Sequence, residues 1–458
     1  MLPPTSTPSA GNRKPPPSKQ VLRKRMILFF LQVLSFLLLG TIFIFSAILI
    51  FRAFNGDAST ATPPTENTTA STTVPSAETT EPIVTTEATT TTPPPVAPQE
   101  FLPDSPKAEA FFGPLPIAET PEPVRTFPVR GMYLGSGASL SKKIETFKDS
   151  DINAYVIDLK ETDGIRFDSK NELANEMGFV KPAYNLKNLV ETAHNADVKI
   201  IARIVCFNDP ELAKNYPDRA ICDAAGNPLK YKNEHSNAFA NPYDIRNWDY
   251  LIDLALEAVE AGVDEIQFDY VRFPTGPTVS GEKPYFGDPE TIPSRIEVIN
   301  RFLQTARIKI QDEYGVPVTA DVFGIIITGP KDGENLGQGW DSVGLTGVSA
   351  VAPMIYPSHY ALNTVLNGVS FDKPDFHPHD VIYNALMAGK PVANQENYCV
   401  VRPYLQAFTA SYMKDGTWKE YKYAEINAQI KAVYDAGYEE WILWNSGASY
   451  PAGKYDGK

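Results

Sequence analysis

Asp264-Glu-Ile-Gln-Phe-Asp-Tyr-Val-Arg-Phe-Pro274 lies past the middle of a 458-residue chain and decides how the rest is read. Ile266, Phe268, Tyr270 and Phe273 give it the apolar, aromatic-rich look of a strand buried on both faces. Two ionisable groups, Asp269 and Arg272, stand inside that run. A lone charge in a buried strand is costly, so such groups persist when paired or when they open into a polar site. Upstream, Trp248, Leu251, Ile252, Ala255, Val259 and Gly262 read as an amphipathic helix with a glycine stop. Downstream, a loop rich in Pro and Gly runs from 274 to about 293. Helix, turn, strand and loop make one repeat of an α/β barrel. Its carboxylate sits at the strand's C-terminal end, where such barrels place their active sites.

Working outward, the same alternation fills 129–458. Strands are expected at 130–135, 154–160, 199–207, 265–273, 317–324, 350–357, 400–408 and 440–445, with helical patterns such as 185–196, 293–314 and 423–436 between them. Eight strands alternating with helices predict a parallel closed (β/α)8 TIM barrel. Only Ser446–Lys458 follows the last strand, too little for a full helix. The last helix is therefore short or missing, and the expectation is that residues around 100–128 fold back over the gap, or that the barrel is open there.

The preceding chain is of another kind. Residues 1–25 are polar and basic, with Arg13, Lys14, Lys19, Arg23, Lys24 and Arg25 and no acid. Met26–Phe51 is free of charge and led by Leu, Ile and Phe, long enough to cross a bilayer with some tilt. A cleaved signal peptide is the competing reading, but its apolar core is usually only about 7–15 residues. An uncleaved anchor is expected, with the basic N-terminus cytoplasmic and everything after Arg52 outside the cell membrane. Residues 52–128 form a Thr/Pro-rich linker with little to bury, expected to be extended and disordered.

Of the 41 basic residues seven lie in 1–52, so the remainder carries 34 against 55 acidic, a net −21. That is a poor nucleic-acid binder and argues against a polyanionic partner unless a local basic cleft overrides the average. Cys206, Cys222 and Cys399 cannot make a complete disulfide framework, and the pairing of any two is left open. No Cys/His spacing resembles a metal site, His377-Pro-His379 reads as a loop turn, and no cofactor is implied.

Ionisable and aromatic groups gather at the strands' C-terminal ends: Asp158, Lys160, Glu161 and Asp163 after the second, Arg203, Asn208 and Asp209 around the third, Asp269 and Arg272 on the fourth, Asp321 on the fifth. Tyr356 and His359 follow the sixth, Arg402 and Gln406 lie on the seventh, and Trp444 on the eighth. Trp and Tyr faces stack on sugar rings while charged groups hydrogen-bond hydroxyls, so this mouth suits a saccharide. Each residue has a plainer reading. Asp269 could be ion-paired to Arg203 or Arg272, Asp158 to Lys160 at the rim, Asp321 could cap a loop, and Trp444 could face the core. Glu161 and Asp163 read as a solvated loop. Gln267 shares a strand face with Asp269, and both point inward if Ile266, Phe268 and Tyr270 face the helices.

Val156-Ile-Asp-Leu-Lys160, Val263-Asp-Glu-Ile-Gln-Phe-Asp-Tyr270, Ala320-Asp-Val-Phe-Gly324, Met354-Ile-Tyr-Pro-Ser-His-Tyr360 and Arg402-Pro-Tyr-Leu-Gln406, in this order over 129–450, resemble a family of envelope-associated bacterial TIM barrels classed as glycoside hydrolases and distantly related to the alpha-amylase group. The resemblance implies a catalytic Asp on the fourth strand and a general acid on the fifth: Asp269 as nucleophile or base, Asp321 as acid. The chain departs from the amylase pattern in carrying Gln267 where an Arg stands two residues before that Asp, and Asp321 where the acid is usually Glu. Val271 stands where a chitinase-type strand carries its Glu, which argues against that mechanism. The expected function is cleavage of a polysaccharide or cell-wall glycan, with Asp158, Lys160, Arg203, Arg272, Tyr356, His359, Arg402, Gln406 and Trp444 binding it. The rival is a barrel that holds glycan, or organises envelope proteins, without cleavage. A metal-dependent hydrolase or deacetylase is a third reading, weakened by the scattered histidines.

Overall fold

In the computed structural model, which describes residues 102–232 and 234–458, eight strands form a closed parallel ring. They are β1 (Arg130–Gly135), β2 (Ala154–Glu161), β3 (Lys199–Val205), β4 (Glu265–Asp269), β5 (Val318–Phe323), β6 (Ala350–Ile355), β7 (Tyr404–Gln406) and β8 (Trp441–Trp444). Each pairs in parallel with its neighbours in sequence, and β8 closes on β1 through Arg130–Trp441, Gly131–Ile442 and Met132–Leu443. This is the expected TIM barrel. The predicted cytoplasmic tail, the membrane span 26–51 and the linker as far as residue 101 lie outside the described residues. Among the described residues no helix is long and apolar enough to cross a membrane.

The local chemistry explains the elements. Helix Ile245–Glu260 starts at Asp244, whose side chain accepts from the Arg246 amide, and buries Trp248, Leu251, Ile252 and Ala255 as their spacing predicts. On β4, Ile266 and Phe268 join the outer core under the helices, where the Phe268 ring meets Phe302 at 5.2 Å. Burying such a side chain stabilises by about 1.5–3 kcal/mol. A second core fills the barrel itself, built from Val129, Tyr133, Val156, Ile201, Tyr356, Tyr404 and Ile442.

Three expectations are corrected. β4 ends at Asp269 instead of Phe273, because Tyr270 turns to φ +49, a left-handed conformation costly for a bulky residue. The seventh strand is broken: Val400–Val401 pairs with β6, Arg402-Pro403 interrupts, and Tyr404–Gln406 resumes, since Pro403 has no amide hydrogen for a ladder. Residues 102–128, assigned by composition to the disordered linker, are packed on the barrel's outside. Phe112 stacks near Trp248 at 4.6 Å, Asp104 pairs with Arg301, and the Arg125 amide bonds the Gly315 carbonyl at 2.9 Å. Gly315, at φ +66, lies so close to the Pro123 carbonyl that a Cβ would meet it at 2.5 Å.

That segment does not cover the place of the missing last helix, and the barrel is not open there. Residues 446–458 fill the space themselves. Tyr455 is fully buried, its ring 5.8 Å from Phe147 and 5.3 Å from Tyr423, and Asn427 holds the Gly457 amide at 3.0 Å and the Lys458 carbonyl at 2.8 Å. Cys206, Cys222 and Cys399 are all free thiols.

Candidate active site

Arg203, on β3, stands at the centre of the mouth. Its Nε and Nη2 donate to Asp269 Oδ2 at 3.0 and 2.6 Å, its Nη1 to Asp158 Oδ1 at 2.6 Å, and Nη1 also reaches Glu161. All three carboxylates and the guanidinium are at least half-buried. Asp158 takes a further hydrogen bond from the Tyr133 hydroxyl at 2.6 Å, and its backbone carbonyl takes one from Tyr184. Burial raises the Asp158 carboxyl above its ordinary range, and the adjacent Glu161 charge adds to this, although Arg203 pulls the other way. For Glu161 burial also pushes upward, but the charge and hydrogen bond of Arg203 outweigh it and leave the group below its usual value.

Asp269 closes β4 with a turn that serves its own side chain. The amide of Tyr270, the residue with the positive φ, donates to Asp269 Oδ1 at 2.6 Å. Asp269 therefore has a donor on each oxygen. The Tyr270 phenol, half-buried beside Asp269, is pushed up to about 12.

Asp321, on β5, is in a different state. It is 2 % exposed, Oδ1 has no hydrogen-bond partner, and no cation pairs with it among the described residues. Burial first, and the negative charge of Asp269 second, raise its carboxyl well above the usual range. Phe268 pairs with Ala320 across β4 and β5, so Asp269 and Asp321 leave neighbouring strands at the same level. One carboxylate is thus ion-paired and its neighbour is unpaired, dry and inclined to keep its proton. This is the division that acid–base chemistry needs.

The other expected site residues divide in two. Tyr356, His359 and Trp444 gather at the mouth: the Trp444 ring lies 6.0 Å from Tyr133, 5.8 Å from Tyr356 and 5.5 Å from Phe408, and the exposed His359 packs 5.1 Å from Tyr356. Trp444 is half-buried and opens to the mouth instead of facing the outer core. Lys160, Arg402, Gln406 and Arg272 are held away from direct contact. Lys160 is 0 % exposed, because the β2–β3 register shifts between Asp158 and Lys160 and turns it under the helices to Asp209 at 2.9 Å. Arg402 lies on the barrel floor, clamping Glu265 at 2.7 and 2.9 Å and Glu440 at 2.8 Å. Gln406 ties the Ser358 amide to Asp375, and so supports the loop that carries His359. Arg272 pairs with Glu234 at 2.9 Å and stacks on Phe323 and Tyr270 at 4.6 and 4.9 Å, bracing the rim.

The inward orientation of Gln267 holds: it accepts from Tyr404 across the barrel at 2.6 Å. Tyr270 departs from the expected alternation because its turn leaves the strand. Glu161, read as solvated, belongs to the Arg203 cluster, while Asp163 is exposed beside Arg166. Tyr133 and Tyr184 were not singled out by the sequence. Tyr133 had a signal in Gly131-Met-Tyr-Leu134, an inward position on an apolar strand. Tyr184 lies in the loop before helix Leu186–His194, where nothing marks it. Among the described residues no group of three or more His, Cys, Asp or Glu side chains is disposed to hold a metal ion.

Solved structures similar to this chain include a hypothetical protein from Ruminiclostridium thermocellum, 36 % identical over 42 % of this chain and 97 % of that one, with a TM-score of 0.36. The glycoside hydrolase domain of PgaB (BpsB) from Bordetella bronchiseptica is 11 % identical over 71 % of this chain and 95 % of that one, with a TM-score of 0.50, a likeness of fold. No curated protein matches by sequence. The family described as "Putative glycosyl hydrolase domain" matches residues 129–450, the whole ring from before β1 to past β8. The chain belongs to that glycosyl hydrolase family.

Proposed function

We propose that the protein cleaves glycosidic bonds of a polysaccharide with Asp269 as nucleophile or base and Asp321 as the acid. The observation that carries this reading is the split between them: Asp269 bonded to Arg203 and to the Tyr270 amide, Asp321 buried and unpartnered beside it. A protonated Asp321 delivers its proton to the leaving glycosidic oxygen, and Asp269 acts at the anomeric carbon, directly or through water. The guanidinium of Arg203 takes the position of charge partner that the amylase pattern assigns to an Arg on the fourth strand. This accounts for Gln267 standing there instead. Trp444, Tyr356 and Tyr133 offer ring faces for a sugar, with His359 at the open side.

The uncharged run 26–51 behind a basic tail supports a membrane-anchored form with the barrel outside the cell, acting on an envelope or environmental glycan. Protease added to intact cells is expected to remove the barrel; a barrel protected until the membrane is broken refutes this topology. The catalytic reading is tested by sugar release from purified cell-wall and capsular glycans by the full-length protein, beside Asp269→Asn and Asp321→Asn. Release by wild type that is lost in both variants is expected. Release that survives in Asp321→Asn removes Asp321 as the acid, and glycan binding without any release by wild type makes the barrel a binding scaffold.

A further inference from the structure

Between the loop after β4 and the loop after β5 lies a cavity of about 640 Å³, within the range of small-molecule sites. Tyr231, Phe273, Phe286, Phe323 and Arg295 line it. Phe323 follows Asp321 by two residues and carries the stacked Arg272, so the cavity adjoins the catalytic mouth through one side chain.

Two of its groups lack the partners that burial calls for. Arg295 is half-buried, with its guanidinium 4.9 Å from the Phe273 ring and 5.6 Å from Phe286 and one donor on the Asn335 carbonyl at 2.8 Å, yet no carboxylate pairs with it among the described residues. Burial lowers its pKa, and only the Tyr243 and Tyr231 phenols oppose that. Tyr231 is 5 % exposed, and its hydroxyl has no hydrogen-bond partner among the described residues. The charged rim residues Glu282, Lys283 and Asp332 are solvent-exposed, which leaves Arg295 as the charge the enclosed part of the cavity feels. Aromatic walls, an uncompensated planar cation and a spare hydroxyl make a site for a ring that carries an oxyanion.

We propose that this cavity is a second saccharide subsite that holds a sugar carboxylate, as in a uronic acid, against Arg295 and Tyr231. The inference rests on the hydrolase reading and narrows its substrate to a glycan with acidic sugars. The net charge of −21 outside residues 1–52 disfavours a dense polyanion, but it leaves room for one carboxylate received locally.

The test is calorimetric binding of glucuronate, glucose and inorganic phosphate to full-length protein carrying Asp321→Asn, so that binding is read apart from turnover. Glucuronate is expected to bind about tenfold or more tighter than glucose, the worth of a charge-assisted pair. Adding Arg295→Met should remove that preference. Tyr231→Phe, which keeps the packing, should weaken glucuronate several-fold without touching glucose. Glucuronate and glucose binding alike, or neither binding, overturns the proposal. Phosphate competing as well as glucuronate reduces the site to a simple anion hole and overturns it too. Failure of wild type to release sugar would count against the hydrolase reading alone, because this binding result does not depend on it.

Discussion

Replacing Arg203 by Met removes the cation that Asp158, Glu161 and Asp269 share while keeping much of the side chain's volume. Two of its contacts are 2.6 Å charge pairs to Asp158 and Asp269, which are 5 % and 7 % exposed. Breaking a buried pair by removing one partner costs about 3–5 kcal/mol. At roughly 2–4 °C per kcal/mol for a domain of a few hundred residues, the melting temperature should fall by about 10 °C at pH 7. The loss must depend on pH. Asp158 is raised above its ordinary value by burial even with Arg203 present, and it rises further without it. A carboxyl with a raised folded pKa contributes stability that is full below its unfolded value and lost as pH climbs through the folded one. Glu161, lowered in the wild type chiefly by Arg203, gives the wild type stability that is present above the ordinary carboxyl range and lost as pH falls. Both effects widen the gap with rising pH. Thermal melts of both proteins at pH 4, 5.5 and 7 should nearly coincide at the first and separate fully at the last. A gap that stays constant over that span, or stays under about 2 °C, would mean that the three carboxylates do not depend on Arg203.

Asp321→Asn should lower turnover on natural glycans by about 100-fold to 10,000-fold but spare aryl glycosides with good leaving groups, which need no acid. Equal loss on both substrates would assign Asp321 another role. The same variant should gain stability relative to wild type as pH rises from 4 to 8 in denaturant titrations. The raised Asp321 carboxyl costs the wild type stability over that climb, whereas an amide does not titrate. Arg402→Met leaves Glu265 and Glu440 without their shared partner on the barrel floor. It should destabilise by about 3–5 kcal/mol while leaving KM unchanged, and a raised KM with unchanged melting would return Arg402 to the substrate site. Because Asp269 and Asp321 sit level on adjacent strands about 4.8 Å apart, a short carboxyl separation and retention of anomeric configuration are expected by NMR of fresh product; inversion would require a wider pair.

The barrel was legible because its signals are local and repeated. Apolar runs at 130–135, 154–160 and 350–357 met their strands within two residues at either end, since buried parallel strands tolerate little else. What the sequence could not convey was the direction of long side chains near strand ends. Lys160 is two residues from Asp158, and simple alternation sends both inward; a register shift sends the lysine under the helices instead. Arg402 points inward as alternation predicts, but at the floor, because Pro403 breaks the strand and moves its active end to 404–406. Composition misled at 102–128, where few apolar residues suffice once Phe112 and Asp104 find Trp248 and Arg301, partners nearly two hundred residues away in one case. Tyr270 misled for a related reason. An aromatic residue in a strand-like run gives no sign that its backbone will be left-handed.

The same cluster accounts for why two similar aspartates take opposite roles. The mouth gathers Asp158, Glu161, Asp269 and Asp321, and among the described residues Arg203 is the one cation bonded to them. Its fork can face three carboxylates arranged around β2, β3 and β4, all within hydrogen-bond reach of one guanidinium. β5 lies one strand farther round the ring, and Asp321 there receives the charge of Asp269 without a donor to answer it. A second cation near β5 would lower the Asp321 carboxyl and remove the proton donor. A Glu at 321 would carry its carboxyl one methylene farther from β5. On this view Gln267, neutral and turned to Tyr404, and the shorter Asp321 are linked departures: moving the Arg from the fourth strand to the third keeps Asp269 paired while leaving β5 without a counter-charge. Gln267→Arg is the perturbation that separates the alternatives. If position 267 only fills space, turnover changes little. If the placement of charge sets the acid, the new cation should shift the alkaline-side arm of the pH–rate profile downward, because that arm follows loss of the Asp321 proton, and a profile that does not move refutes the linkage.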